Sequence, residues 1–172
     1  AKRDVADMEE TLEEYLAFAK GLTEEAPESI DIGAIAREVV ADATRSGGAE
    51  IHVAISGDAS TPARARAVKR LLANLVDNAA AHGDKVEVHV TGGDGAVLVS
   101  VDDNGAGIPE ELYEEAFRPF SRLDATRSRN QKGVGLGLAI ARDVARSHGG
   151  DILLSRSPLG GLRATLRLPR PR

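Results

Sequence analysis

An α/β two-layer sandwich preceded by a single amphipathic helix is the fold class predicted by this 172-residue chain. Three observations predict it. Short segments with apolar residues at alternate positions, such as Ile51 to Ile55, Val86 to Val90 and Val97 to Val101, are interspersed with longer ones whose apolar residues recur every three or four positions. Glycine-rich breaks separate them, at Ser46-Gly47-Gly48, Gly57-Asp58 and Gly92-Gly93-Asp94-Gly95. The length suits one globular unit with a proper core and a modest appendage.

Charge and composition narrow the function. With 27 acidic and 22 basic residues the net charge is −5, so the chain lacks the positive field that holds a nucleic-acid backbone, and nucleic acid is not an expected partner. There is no cysteine, which removes disulfides and thiolate chemistry. No run approaches the ~18 apolar residues of a membrane span, and Lys2-Arg3-Asp4 is not followed by the apolar stretch of a signal peptide. The segment in hand is expected to be soluble.

Taken in order, residues 2 to 22 place Val5, Met8, Leu12, Tyr15, Ala19 and Leu22 at alternating spacings of three and four, a seam on a helix with Glu9, Glu10, Glu13 and Glu14 on its outer faces. That seam suits either a partner helix or packing on the chain's own domain. Thr23 to Ser29, with Pro27, reads as a linker. Asp31 is a candidate N-cap for a helix with Ile32, Ile35, Val39 and Ala43 on one stripe. Ile51, Val53 and Ile55 mark a half-buried strand. After Pro62 comes the longest helical pattern, with Val68, Leu71, Leu72, Leu75, Val76 and Ala79 on its apolar face.

Val86, Val88 and Val90, then Val97, Val99 and Val101, form a hairpin that delivers Asp103. Residues 110 to 116 suggest a short helix before Phe117-Arg118-Pro119-Phe120. Residues 121 to 133 are polar and nearly free of large apolar groups, so a mobile loop is expected there. Gly133 to Gly137 leads into a helix with Leu138, Ile140, Ala141 and Val144, and two strands, Ile152 to Leu154 and Leu162 to Leu168, finish the chain.

Several polar groups stand out from this scaffold. Asp103 leaves a strand into the flexible turn Asn104-Gly105-Ala106-Gly107; its carboxylate only accepts hydrogen bonds, which suits an exocyclic purine amine, although such turns are also common on surfaces. On the long helix Asn74, Asp77, Asn78 and Ala81 share a side. The Asn78 amide oxygen suits a magnesium ion that keeps most of its waters, or a bond within its own helix. His82 is placed to stack on a purine or simply to end the helix. Gly133 to Gly137 before a helix start fits phosphate binding or a hinge, but it is neither the dinucleotide fingerprint nor a P-loop. Arg118, Arg122, Arg127, Arg129 and Lys132 supply positive charge nearby. No nucleophile, base and acid set is evident, and none of His52, His82, His89 and His148 has a context that suggests a metal or a triad.

Four motifs in order, LLANLVDNAAAHG (71 to 83), VDDNGAGIP (101 to 109), FRPFSR (117 to 122) and GVGLGLAIA (133 to 141), resemble the asparagine, first glycine, phenylalanine and second glycine boxes of the sensor histidine kinase catalytic domain. That family shares an ATP-binding fold with gyrase, the heat-shock chaperone of ninety kilodaltons and the mismatch-repair ATPases. The resemblance covers residues 31 to 168 and implies a Bergerat-type fold, a mixed sheet with helices on one face. Residues 4 to 28 resemble the second helix of the dimerisation and phosphoacceptor hairpin, particularly of osmosensor-type kinases. The implied domains are 1–28, that partial helix and its linker, and 29–172, the catalytic ATP-binding domain.

The resemblance also implies cofactors, ATP and Mg2+, and roles for individual residues. Asn78 would bind magnesium, with Asn74 assisting at the metal or phosphates; the two are the candidate catalytic residues. Asp103 would accept from the adenine amino group, and Gly105 and Gly107 would let the chain approach the base. His82 takes the place of a ring that often lies over adenine. Phe117 and Phe120 would anchor a lid, Arg122 and Lys132 would reach phosphates, and Gly133, Gly135 and Gly137, with Leu138, would frame the triphosphate. Implied partners are a response regulator receiver domain and the phosphoacceptor hairpin of a longer kinase, which would act as a homodimer. The implied location is cytoplasmic, with any inner-membrane anchor supplied by other parts of the parent.

Two departures qualify the match. Ala81 stands where the family often has Lys or Arg, and the phosphoacceptor box is absent, so this chain is expected to bind ATP without carrying the histidine that accepts phosphate. Rival readings are an ATPase of the same superfamily, whose water-activating glutamate would occupy the place of Asn74, and a serine kinase of the anti-sigma-factor type or an interaction module.

Overall fold

In a computed structural model the described residues are Glu9, Leu12, Glu13, Leu16, 25–119 and 137–171. Of the arm, the described positions are helical, and Leu12 and Leu16 are exposed. Among the described residues no helix is long and apolar enough to cross a membrane.

Strand β1 (Glu28–Asp31) pairs antiparallel with β3 (Ser60–Ala63) in a two-stranded ribbon, Ser29 opposite Pro62. This corrects two sequence expectations: the reading of Thr23 to Ser29 as linker gives way at Glu28, and the approach to the long helix contains a strand. Neither four-residue segment alternates clearly, and Pro62 argues against a strand interior; an edge position tolerates it because no ladder N–H is needed there.

Asp31 caps α1 (Ile32–Ser46) as expected, its Oδ1 accepting from the N–H groups of Gly33 and Ala34 at 2.9 and 3.3 Å. The helix ends at Gly47, whose φ of 77° is open to glycine at low cost. β2 (Glu50–Ser56) follows, and after β3 comes α2 (Ala65–His82), eighteen residues with no internal glycine or proline. β4 (Lys85–Gly92) and β5 (Ala96–Asp103) form the expected hairpin. A single 3-10 turn (Glu110–Leu112) leads into the short α3 (Tyr113–Ala116). α4 (Gly137–Ser147), β6 (Asp151–Arg156) and β7 (Leu162–Pro169) complete the described elements.

The main sheet has the order β2-β4-β5-β7-β6, with β2 and β4 parallel and every other pair antiparallel. Val86, Val88 and Val90 on β4, Val97, Val99 and Val101 on β5, and Leu166 and Leu168 on β7 are buried in one core with Val68, Leu71, Leu72 and Leu75 of α2 and Leu138, Ala141 and Val144 of α4. α2 packs against both α1 and α4. Because strand side chains alternate, Asp103 continues the inward row of Val97, Val99 and Val101, whereas Asp102 points to the other face. There the Asp102 carboxylate, 1% exposed, takes two hydrogen bonds from Arg163, Nε to Oδ1 at 2.7 Å and Nη2 to Oδ2 at 2.9 Å.

Candidate functional site

The inward register of β5 brings a carboxylate to the end of a valine row, under the helix layer. Asp103 is 1% exposed. Its Oδ1 accepts from Gly105 N at 2.9 Å and Leu162 N at 3.2 Å, and its carbonyl oxygen accepts from Gly161 N at 3.1 Å. The start of β7 therefore fixes the rotamer of Asp103. Gly161 was not singled out in the sequence; a Cβ there would collide with Asp103 Oδ1 and sit 2.7 Å from its carbonyl oxygen. Gly107, at φ 72°, makes the turn that returns the chain.

Gly105 has a nearer cause than approach to a ligand. A Cβ on it would strike the His82 carbonyl, so its bareness lets the exit of β5 close against the end of α2. Asn104 ties the same ends together. Its Nδ2 donates to Asp84 Oδ1 at 2.6 Å, its Oδ1 accepts from Lys85 N at 3.1 Å, and a Cβ on Gly83 would lie 2.5 Å from that oxygen. Ala80, Ala81, His82, Gly83, Asp84 and Asn104, with Gly48 from the far side, bound an open cleft of about 510 Å³.

Asn74 and Asn78 are one helical turn apart on α2 and both half-buried. Asn74 Nδ2 donates to the carbonyl of Gly137 at 3.3 Å, joining the long helix to the first residue of α4. Asn78 Oδ1 lies 3.2 Å from His82 Nε2, so the bond within its own helix is made. An amide oxygen has two lone pairs, and that bond leaves its capacity as a metal ligand intact. Asp77, between them in sequence, is exposed, and partial desolvation of its carboxyl pushes it above its ordinary value, opposed by the charge of Arg70. Leu138 is buried in the core, and Ala81 is exposed.

Phe117 is 8% exposed, and the Arg142 guanidinium lies 4.2 Å from its ring centroid. Arg142 also donates to both Glu114 oxygens, at 3.1 and 3.4 Å, and to Asp151 Oδ1 at 3.3 Å. It joins the two described ends of the span between Pro119 and Gly137, a role no local pattern in the sequence signals. Phe120, Arg122, Lys132, Gly133 and Gly135, assigned to the site from the sequence, lie outside the described residues. The structure thus brings Asn74, Asn78, His82, Asp103, Gly105, Gly107 and the start of α4 to one side of the core.

Residues 63–172 match the family described as histidine kinase-, DNA gyrase B- and HSP90-like ATPase. The chain belongs to that family. Among relatives of this ATPase family, the chain is 38% identical over 145 residues to the sensor histidine kinase GtrS of Pseudomonas aeruginosa, 83% of this chain and 29% of that protein. It is 40% identical over 104 residues to the sensor histidine kinase CpxA of Escherichia coli K12, 60% of this chain and 23% of that one. It thus spans less than a third of the length of these relatives. Among solved structures, the ATP binding domain of PrrB from Mycobacterium tuberculosis aligns at a TM-score of 0.73 with 28% identity, covering 86% of this chain and all of that one. Full-length ShkA in complex with AMPPNP aligns at 0.77 with 25% identity, covering 97% of this chain and 37% of that one. The two-layer α/β fold is that of histidine kinase ATP-binding domains, and the chain is an ATP-binding domain of this ATPase family.

Proposed function

We propose that this chain is the catalytic part of a two-component sensor histidine kinase, moving the γ-phosphoryl group of ATP to a histidine on a separate phosphoacceptor hairpin and thence to an aspartate of a response regulator receiver domain. The observation that carries the reading is the placement of Asp103, an acceptor-only carboxylate buried at a strand exit, beside a helix that presents two neutral amides and no carboxylate at Asn74. The kinase relatives support it.

In this reading Asp103 accepts from the adenine amino group and so selects adenine, with its orientation set by the Gly105 and Leu162 amides. His82, half-buried at the end of α2, would lie over the ring. Asn78 and Asn74 offer hard, neutral oxygens, a donor set that suits Mg2+, which keeps its waters and takes charge from phosphates. When bound, the ion supplies neutralisation of the charge that develops during transfer. Asn78 would hold it, and Asn74, tied to Gly137, sets the distance between α2 and the start of α4. Arg122 and Lys132 would contribute charge, and Phe117 with Phe120 would anchor the lid. Transfer then rests on positioning and charge stabilisation.

The domain division at residues 28 and 29, homodimerisation of the parent through the arm, and a cytoplasmic location with any membrane anchor elsewhere in the parent belong to the same proposal. Incubating the chain with labelled ATP, magnesium and a separate acceptor hairpin tests it. Label on the hairpin histidine is expected; label on a serine, or phosphate released to water at the same rate with and without the hairpin, overturns it.

A further inference from the structure

The N-terminus of α2 is not capped by its own sequence. The N-cap is Arg64, whose side chain makes no capping bond, and the first turn has no acidic residue. The first N–H groups of a helix have no partner within it, and the positive end of the helix dipole attracts negative charge. Here the carboxylate arrives from upstream. Both Glu25 oxygens accept from Arg66 N at 3.1 Å, and Oε1 also accepts from Ala67 N at 3.4 Å. Arg64 grips the same residue from the other side, its Nε donating to the Glu25 carbonyl at 2.8 Å. Glu25 thus holds α2 by side chain and main chain together, and it lies between the arm and β1, which begins at Glu28.

We propose that Glu25 is a positioning residue for the nucleotide site: it fastens the linker that leads out of the arm to the helix that carries Asn74 and Asn78. This rests on the reading of those two amides as the magnesium and phosphate residues. The route is short. At ~1.5 Å per residue, Ala67 is about 10 Å from Asn74 along the helix. The same helix start is held a second time, because Arg64 N donates to His148 Nε2 at 3.0 Å and His148 follows α4, whose first residue accepts from Asn74. The His148 bond joins the start of α2 to the end of α4 and the Asn74 bond joins the middle of α2 to the start of α4, and the Glu25 cap keeps the first turns of α2 formed between these two ties. Without the cap, the first turn of α2 frays, and the helix start is left to the His148 bond and the core face. Unseating Glu25 would therefore reach the nucleotide site through one helix.

Glu25→Ala and Glu25→Gln in the full chain test this, with ATP and magnesium titrated by calorimetry well below the melting temperature and amide exchange followed through residues 65 to 78. Glu25→Ala should weaken ATP binding about three- to tenfold, on the scale of a lost cap. Exchange in the first two turns should speed up as well. Glu25→Gln, which keeps one carbonyl acceptor at the same reach, should recover part of the affinity. A purely structural cap would behave like Thr61→Val, which removes the 2.8 Å bond from Thr61 Oγ1 to the Pro169 carbonyl: a lower melting temperature and parental affinity. Parental affinity in both Glu25 variants overturns the proposal and leaves the nucleotide reading standing; absence of ATP binding by the parent overturns both. If Glu25→Ala does not fold, the isosteric Glu25→Gln decides, lowered affinity supporting the proposal and parental affinity overturning it.

Discussion

Gly161 and Asp103 hold each other in place. The Gly161 N–H donates to the Asp103 carbonyl at 3.1 Å, and the missing side chain of Gly161 leaves the space that Asp103 Oδ1 occupies. Gly161→Ala should therefore displace the carboxylate or the strand, at a cost of ~1–3 kcal/mol, the range for overpacking a closed site. Chemical denaturation should show a lower midpoint and ATP titration a weaker affinity. Gly95→Ala, where a Cβ meets nothing within 4 Å, should change neither.

Replacing Asp103 itself by Asn keeps the shape and one acceptor but turns an NH2 group into the site. The proposed partner, the adenine amine, is also a donor. Loss of a hydrogen bond to a charged group costs ~1.5–3 kcal/mol, so Asp103→Asn should narrow the preference for ATP over GTP by roughly tenfold or more. Competition of the two nucleotides for a fluorescent analogue reads this directly; an unchanged preference removes the role.

Asn78→Ala should remove most of the magnesium-dependent part of nucleotide affinity. The half-buried His82 loses its 3.2 Å partner at the same time, so some loss without metal is expected from both. The comparison is therefore between titrations with magnesium and with a chelator: the two curves should converge in the variant and stay apart in the parent.

Arg142 predicts a pH dependence. The hydrogen bond from Arg142 holds the Glu114 carboxyl below its ordinary value. Burial alone would raise Asp151, but the Ile152 N–H, Arg146 and Arg142 outweigh it and leave that group lowered as well. A depressed carboxylate stabilises the fold above its ordinary value and loses that contribution as pH falls through the depressed one. Arg142→Met should lower the melting temperature most at pH 7, and the gap to the parent should shrink below about pH 4. A remainder of about 0.5–2 kcal/mol should persist in acid, because the contact with the Phe117 ring does not titrate. A gap that stays constant from pH 7 to pH 3 would show that the carboxylates contribute nothing through Arg142.

Much of the candidate site was legible along the chain. The spacing of Asn74 and Asn78, the delivery of Asp103 by a valine hairpin and the glycines after it depend on residues a few positions apart, and local periodicity records such relations. The same holds for α1 with its Asp31 cap and for the strands β2, β4, β5, β6 and β7. What the sequence by itself determined was therefore the set of elements and the chemistry placed on each.

The tertiary structure decided what lies between them. The β1 and β3 ribbon has only four residues per strand and a proline in one of them, so its pairing is imposed by chain return and leaves no periodic trace. Asn74 meets Gly137 across 63 positions, Asp103 meets Leu162 across 59, and Glu25 reaches Arg66 across 41. No window of local sequence contains both members of such a pair. The residues that make these contacts, a bare glycine at 161 and a linker glutamate at 25, look ordinary until packing sets them against their partners, because each exists to satisfy a steric or electrostatic condition created by the other.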